Sequence, residues 1–549
     1  MRTHFGRTAA VVLVLAAVAG FGPQSPGRPA AVFVLEEATI SDIEAAFEAG
    51  ALSCPALVQM YLDRIAAYDD DGPLLNSVIT VNPRALEVAR ELETERVERG
   101  PRGPLHCIPV LLKDNIDTAD MPTTNGTVIL RDAMAPDDAY VTRALREAGA
   151  IILGKASLGE FAGGNSYNSV DGRTVNPYHP LRSAGGSSSG SAVAVAANLA
   201  VFSVGSDTST SVRGPASFTG IVGLRPTTGL ISRDGIAPKN LNFDTAGPMA
   251  RTVTDTAILL TAIAGPDPAD PDGLSLEVFA AHPAGEAAAR LDYTRFLERG
   301  ALRGARLGVA RDYFGGDPEV DALAEAAIDA MRELGAVIVD PVTFDGSFVD
   351  GVRRIADYRF RADWEAYLLT LGPDVPQTVD EFLEIYYTEV AASPLPAEAS
   401  VLDLLERASA TSTDDSVYVD LVENVLPRNT RLKLDVFDAH DLDALVFPYN
   451  PSFAPPARDP TFTADDPTYV SARGLRSPST LAGYSSIGFP SIVVPMGFGS
   501  QGLPMNVGFL GRPYDEGRLI GYAYDFEQAT LARRPPPLAP PLAGDVIEY

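Results

Sequence analysis

Ala184-Gly185-Gly186-Ser187-Ser188-Ser189-Gly190-Ser191 and Gly205-Ser206-Asp207-Thr208-Ser209-Thr210-Ser211-Val212-Arg213-Gly214-Pro215 are the densest Gly/Ser runs in the chain. A flexible linker would have this composition. Both neighbours, however, are regular: Val193 to Ala200 reads as a helix of small residues, and Ala200 to Val204 as a strand leading into Gly205. A phosphate-cradling loop would end in Gly-Lys-Ser/Thr, which is missing here. Gly186-Ser187-Ser188-Ser189-Gly190 matches the G-x-S-x-G nucleophile elbow, centred on Ser188. An elbow needs a strand before it, and Asn176-Pro177-Tyr178-His179-Pro180 carries prolines that withhold ladder donors. Its histidine would have to be His282 or His440. The remaining option is a serine nucleophile served by a neutral lysine. Lys113 closes the apolar run Ile108 to Leu112, where burial disfavours the charged form.

Outward from this centre, strands and helices alternate. Ile108 to Leu112 and Ala150 to Leu153 read as buried strands, and a capping-box spacing at Ser41 to Glu44 starts a helix. Ser53 precedes an apolar helical stripe through Leu57, Val58, Tyr61, Leu62 and Ile65. Leu307 to Ala310, Val320 to Leu334 and Ala336 to Val339 repeat a strand-helix-strand pattern, and Ala444 to Phe447 and Ser491 to Pro495 add strands. The class is α/β. Residues 351–440 read as a mostly helical insertion or lid within one domain spanning 20–549. Residues 533–549, rich in proline, read as an extended strap or a disordered end.

The chain has 549 residues, 46% of them hydrophobic, and a net charge of -29. That acidity argues against nucleic acid and anionic membrane surfaces as partners. Of the 43 basic residues only Lys113, Lys155, Lys239 and Lys433 are lysine, and of these charges lysine alone can be lost in a protein. Lys155 reads as structural, and Lys239 and Lys433 as solvated surface charges. Arg2 and Arg7 followed by the apolar stretch Thr8 to Ala19 read as an export signal cleaved after Ala17-Val18-Ala19, giving residues 1–19 as signal peptide and a periplasmic or extracellular bacterial protein. Cys54 and Cys107 are expected to be buried free thiols, with one bridge as the alternative. The five histidines are too scattered for a metal cluster.

At this point the sequence resembles the amidase signature family of serine hydrolases. The matching residues are Pro109 to Asn115, Gly154-Lys155, Gly185 to Ser188, Gly205-Ser206-Asp207 through Arg213, Gly220 to Thr227 and Asp244 to Arg251. Weaker matches follow at Asp443 to Pro448 and Gly488 to Ser491. Gly190 to Leu199 and Ser232 to Gly235 are most similar to bacterial peptide amidases. The resemblance implies a mixed β-sheet core sandwiched between helical layers. It implies a small-molecule or peptide amide as substrate, with neither metal nor organic cofactor. It also implies Ser211 as nucleophile, Ser187 as bridging serine after a cis peptide bond, and Lys113 as base. Backbone N–H groups of Thr208, Ser209, Thr210 and Ser211 would form the oxyanion hole, supported by Ser188, Asp207 and Arg213. In this family a Gly-Gly pair precedes the nucleophile, and here Ser209-Thr210 stands there. A loop needing φ > 0 would make Thr210 costly.

Overall fold

A computed structural model describes Met1 and residues 32–344, 355–472, 481 and 488–549. Apart from Met1, the expected signal segment lies outside the described residues.

An eleven-stranded mixed sheet forms the core. From one edge its strands run Val337–Val342, Arg306–Ala310, Ala444–Pro448, Pro504–Leu510, Ser491–Phe498, Val222–Arg225, Thr245–Ala250, Phe202–Asp207, Pro109–Lys113, Ile151–Ala156 and Val78–Val81. Helices including Tyr140–Glu147, Ser189–Ala196, Val253–Ile263, Pro318–Glu333 and Glu516–Thr530 pack on it. Pro109–Lys113 is buried at every position, with its proline at the first residue, where a strand tolerates one. It runs parallel to Ile151–Ala156 on one side and Phe202–Asp207 on the other, with Leu112 opposite Val204. Lys113 and Ser206 therefore emerge at the same end of the sheet.

Some boundaries differ from the sequence expectations. The small-residue helix runs from Ser189 to Ala196, because Asn198 turns left-handed (φ 57°) and ends it. Every residue of this helix is buried. A Cβ on Gly190 would lie 2.3 Å from the Ser77 carbonyl oxygen and 2.5 Å from the Ser157 nitrogen, so only glycine fits. The first helix, Ile40–Glu48, is capped by Thr39 and Asp42 rather than by Ser41 and Glu44. Ser53 does cap Cys54–Arg64, accepting from the Ala56 N–H. The tail is a strap: Val546–Glu548 pairs with Val32–Val34, and buried Arg64 donates to the Ala539 carbonyl and pairs with Asp545.

Cys54 and Cys107 are bridged, not free. One isolated pair lacks the repeated spacing by which a disulfide framework is read from sequence. The bridge ties the first turn of the Cys54–Arg64 helix to the segment entering the Lys113 strand, closing a sequence separation of 53. Replacing both cysteines by serine is expected to cost about 3–4 kcal/mol through the longer unfolded loop. A denaturant titration with and without reductant measures this. Reductant should shift the unmodified protein and leave the double variant unmoved.

Candidate active site

Lys113 is fully buried, and its Nζ donates to Ser187 Oγ at 2.7 Å. The same Nζ lies 2.9 Å from Ser206 Oγ and 3.3 Å from the Ser206 carbonyl oxygen. Asn115, two residues beyond the strand lysine, donates from Nδ2 to Ser206 Oγ at 3.1 Å. Burial pushes the Lys113 ammonium down to about 7; Asp207 and Asp244 oppose the shift and Lys239 adds to it. At neutral pH a substantial fraction of Lys113 is therefore an unprotonated amine beside a serine hydroxyl.

Ser187 follows a cis peptide bond from Gly186. A Cβ on Gly186 would lie 1.9 Å from the Asn165 carbonyl oxygen, so this turn is packed directly against the Asn165 backbone. The Ser188 N–H donates to the Ser211 carbonyl at 3.1 Å, tying the two Gly/Ser loops together. Ser188 Oγ is buried and donates to the Ser206 carbonyl at 3.1 Å, so it is not presented as an elbow serine would be. Among the described residues no hydrogen bond joins Ser187 Oγ to Ser211 Oγ. In enzymes without substrate such contacts are often long and tighten on binding.

The loop carrying Ser211 hangs on Asp207. Its carboxylate accepts from the Val212 N–H (3.0 Å), Arg213 Nε (3.2 Å) and Arg225 Nη1 (3.1 Å). Arg213 also reaches back to the Ser209 carbonyl at 2.6 Å. Burial alone would raise the Asp207 carboxyl, but Arg213 and Arg225 outweigh it and hold it at about 2. Asp207→Ala would leave two buried guanidinium groups without their shared counter-charge. The expected loss is about 3–5 kcal/mol of stability, read as a fall in the urea midpoint at unchanged slope.

Thr208 is fixed by a 2.6 Å hydrogen bond from its hydroxyl to Asp244. No residue from Thr208 to Ser211 has a positive φ, so Ser209-Thr210 occupies the position of the family's Gly-Gly pair without left-handed strain. Among the described residues the backbone N–H groups of Ser209, Thr210 and Ser211 donate to no protein acceptor. Ser209, Thr210 and Ser211 line, with Thr208, a cleft of about 420 Å³. Asn165, Lys239, Asp357, Leu404 and Arg407 line it too, so helices Ile355–Thr370 and Ala399–Ala410 form one of its walls.

Lys155 is structural, as expected, but Lys239 and Lys433 are not the solvated surface charges the sequence suggests. Lys155 is buried and pairs with Asp114 at 3.2 Å, while bonding the Pro122 carbonyl and Thr123 hydroxyl at 3.0 Å each. Lys433 is fully buried and donates to the Leu481 carbonyl. Lys239 is half-buried at the cleft. No periodicity or motif marked the last two; the folds of the Ile231–Asp244 loop and of the helix Leu426–His440 buried them. Ser206 and Asn115 were visible only as motif members, with no sign that both would reach the same lysine.

The Amidase family model matches residues 56–520. A probable amidase of Arabidopsis thaliana is 34% identical over 98% of this chain and 99% of its own length. A glutamyl-tRNA(Gln) amidotransferase component from Halorhodospira halophila is 33% identical over 90% of this chain and 98% of its own. The native peptide amidase of Stenotrophomonas maltophilia superposes with a TM-score of 0.80 at 39% identity, covering 92% of this chain and 99% of that one. The mixed sheet, the loops joined at Ser188 and Ser211, and this match along nearly the whole chain agree: the protein belongs to the amidase family.

Proposed function

We propose that the protein hydrolyses carboxamide C–N bonds through an acyl-enzyme, with Ser211 as nucleophile, Ser187 as proton relay and Lys113 as base. The observation that carries this assignment is the 2.7 Å hydrogen bond between a fully buried, pKa-lowered Lys113 and Ser187, in a loop bonded to the Ser211 carbonyl. Neutral Lys113 takes the Ser187 proton as Ser187 takes that of Ser211, and Ser211 Oγ attacks the amide carbon. The oxyanion forms facing the N–H groups of the Thr208–Ser211 loop, where one donor contributes roughly 3–4 kcal/mol to lowering the barrier. The relay then returns a proton to the departing nitrogen, and the amine leaves. Water repeats the attack on the Ser211 ester, releasing the carboxylic acid and restoring the hydroxyl. Asp207, Arg213 and Ser188 hold the loop in place and do not touch the reacting atoms.

A peptide amide is the substrate class this proposal favours; the similarity to the Stenotrophomonas peptide amidase supports it. A hydrolysis screen over primary amides, peptide amides, anilides, esters and urethanes tests it. Release of ammonia from peptide amides is the expected result. Turnover of esters or urethanes alone would replace the amidase assignment with an esterase or carbamate hydrolase using the same groups.

The protein is also proposed to act outside the cytoplasm. The Arg2 to Ala19 segment supports this, as does the Cys54–Cys107 bridge, since such bonds persist mainly in oxidising compartments. A mature chain beginning at Gly20 in the periplasmic or culture fraction is expected; an intact N-terminus in the cytosol would contradict it.

A further inference from the structure

Lys239 lines the same cleft as Ser211, and the proton relay does not use it. Its Nζ donates to the Phe161 carbonyl at 3.0 Å and stands 6.0 Å over the Phe360 ring. Phe161 and Ala162 are both left-handed (φ 50° and 51°), a costly conformation for residues with side chains, held where the chain passes the cleft. An ammonium has three donors, and among the described residues only one of these is used. The same residues give Lys239 no ion pair. The two carboxylates that act on the Lys239 charge, Asp244 and Asp357, are engaged elsewhere. Asp244 accepts from Thr208 Oγ1 and from the backbone N–H groups of Lys239 and Asn240 at 2.6, 2.8 and 2.7 Å. Asp357 pairs with Arg407 at 3.2 Å.

A half-buried ammonium with two unused donors, on a lysine that lines the cleft with Ser211, is an anion-recognition group: a carboxylate placed there would supply the missing partner. We propose that Lys239 is a specificity residue that favours amides carrying a carboxylate near the scissile bond. The proposal rests on Ser211 being the nucleophile of this cleft, and it adds the charge of the preferred substrate.

The test uses pairs of anilides that differ in charge and little in shape. On the acyl side these are glutaryl p-nitroanilide and its 5-methylhexanoyl counterpart; on the amine side, 4-acetamidobenzoate and 4-isopropylacetanilide. For any compound not turned over, its Ki against the best amide of the screen supplies the ratio. The unmodified enzyme should favour the carboxylate in at least one pair by about 10- to 100-fold in kcat/KM or Ki, the range for a charge-assisted bond. Lys239→Met should bring that ratio close to one, and Lys239→Arg should keep most of it. No preference in the unmodified enzyme, or the same preference in Lys239→Met, would overturn the proposal. Ser211→Ala run alongside separates the two levels: if that variant stays active, the Ser211 assignment fails instead.

Discussion

Ser211→Ala should lower kcat/KM for amide hydrolysis by roughly 10⁴- to 10⁶-fold, the range seen when a serine nucleophile is removed, while the protein stays folded. The two halves of this expectation have separate physical grounds. Ser211 Oγ makes no hydrogen bond to the protein among the described residues, so removing it breaks no structural contact there. The loop's architecture runs through other atoms: the Ser211 carbonyl to the Ser188 N–H, the Val212 N–H to Asp207, and Arg213 to Asp207 and Ser209. The unfolding free energy should therefore stay within about 0.5 kcal/mol of the unmodified protein, the range of a neutral substitution. Ser188→Ala is the matching control. It removes a buried hydrogen bond to the Ser206 carbonyl and should cost about 1 kcal/mol of stability with a far smaller loss of rate.

Lys113→Arg should be about as damaging as Lys113→Ala, with at least about 10³-fold loss of kcat/KM in both. Charge retention would rescue a purely electrostatic role. A base must lose its proton, and arginine does not. The pH profile follows. With the ammonium brought down to about 7 by burial, kcat/KM should rise with pH through that value, since only the neutral amine can accept a proton. The stability term has the same sign. In the unfolded chain the lysine keeps its proton up to its ordinary value of 10.5, so between about 7 and 10.5 folding releases a proton. This group's contribution to stability therefore becomes more favourable as pH rises across that window. Lys113→Met should remove both the acid limb of the profile and this slope. A Lys113→Arg enzyme with an unchanged rate and profile would contradict the assignment of the base.

The parts of the fold readable in advance were those where local pattern and tertiary role coincide. Pro109–Lys113 and Ile151–Ala156 are continuous apolar runs because both lie inside the sheet. Thr245–Ala250 was seen only as a motif. Its Gly247 and Pro248 resemble loop residues, yet Pro248 sits opposite Val204, just past the short ladder with Val222–Arg225, where no donor is demanded on that side. Ser491–Phe498 hides Pro495 and Gly497 at a register shift in the same way. Proline therefore excluded a strand correctly before Gly186 but would have misled at Pro248, whereas Pro495 ends the run already read as a strand. At the site, the serines and Lys113 stood out because they are rare or densely grouped. Lys239 did not, because a single lysine in Ala237-Pro238-Lys239-Asn240 shows neither its burial nor the cleft it faces. The cysteine bridge was equally silent, since two residues at a separation of 53 meet only through the fold.

The most direct measurement is peptide mapping by mass spectrometry after treatment with a fluorophosphonate, which captures an activated serine as a stable adduct. The predicted result is one adduct, on Ser211, with activity lost in step, and none in Ser211→Ala or at a pH well below 7. An adduct on Ser188 or Ser187, or amide hydrolysis that persists after Ser211 is fully modified, would contradict the assignment of Ser211 as the nucleophile.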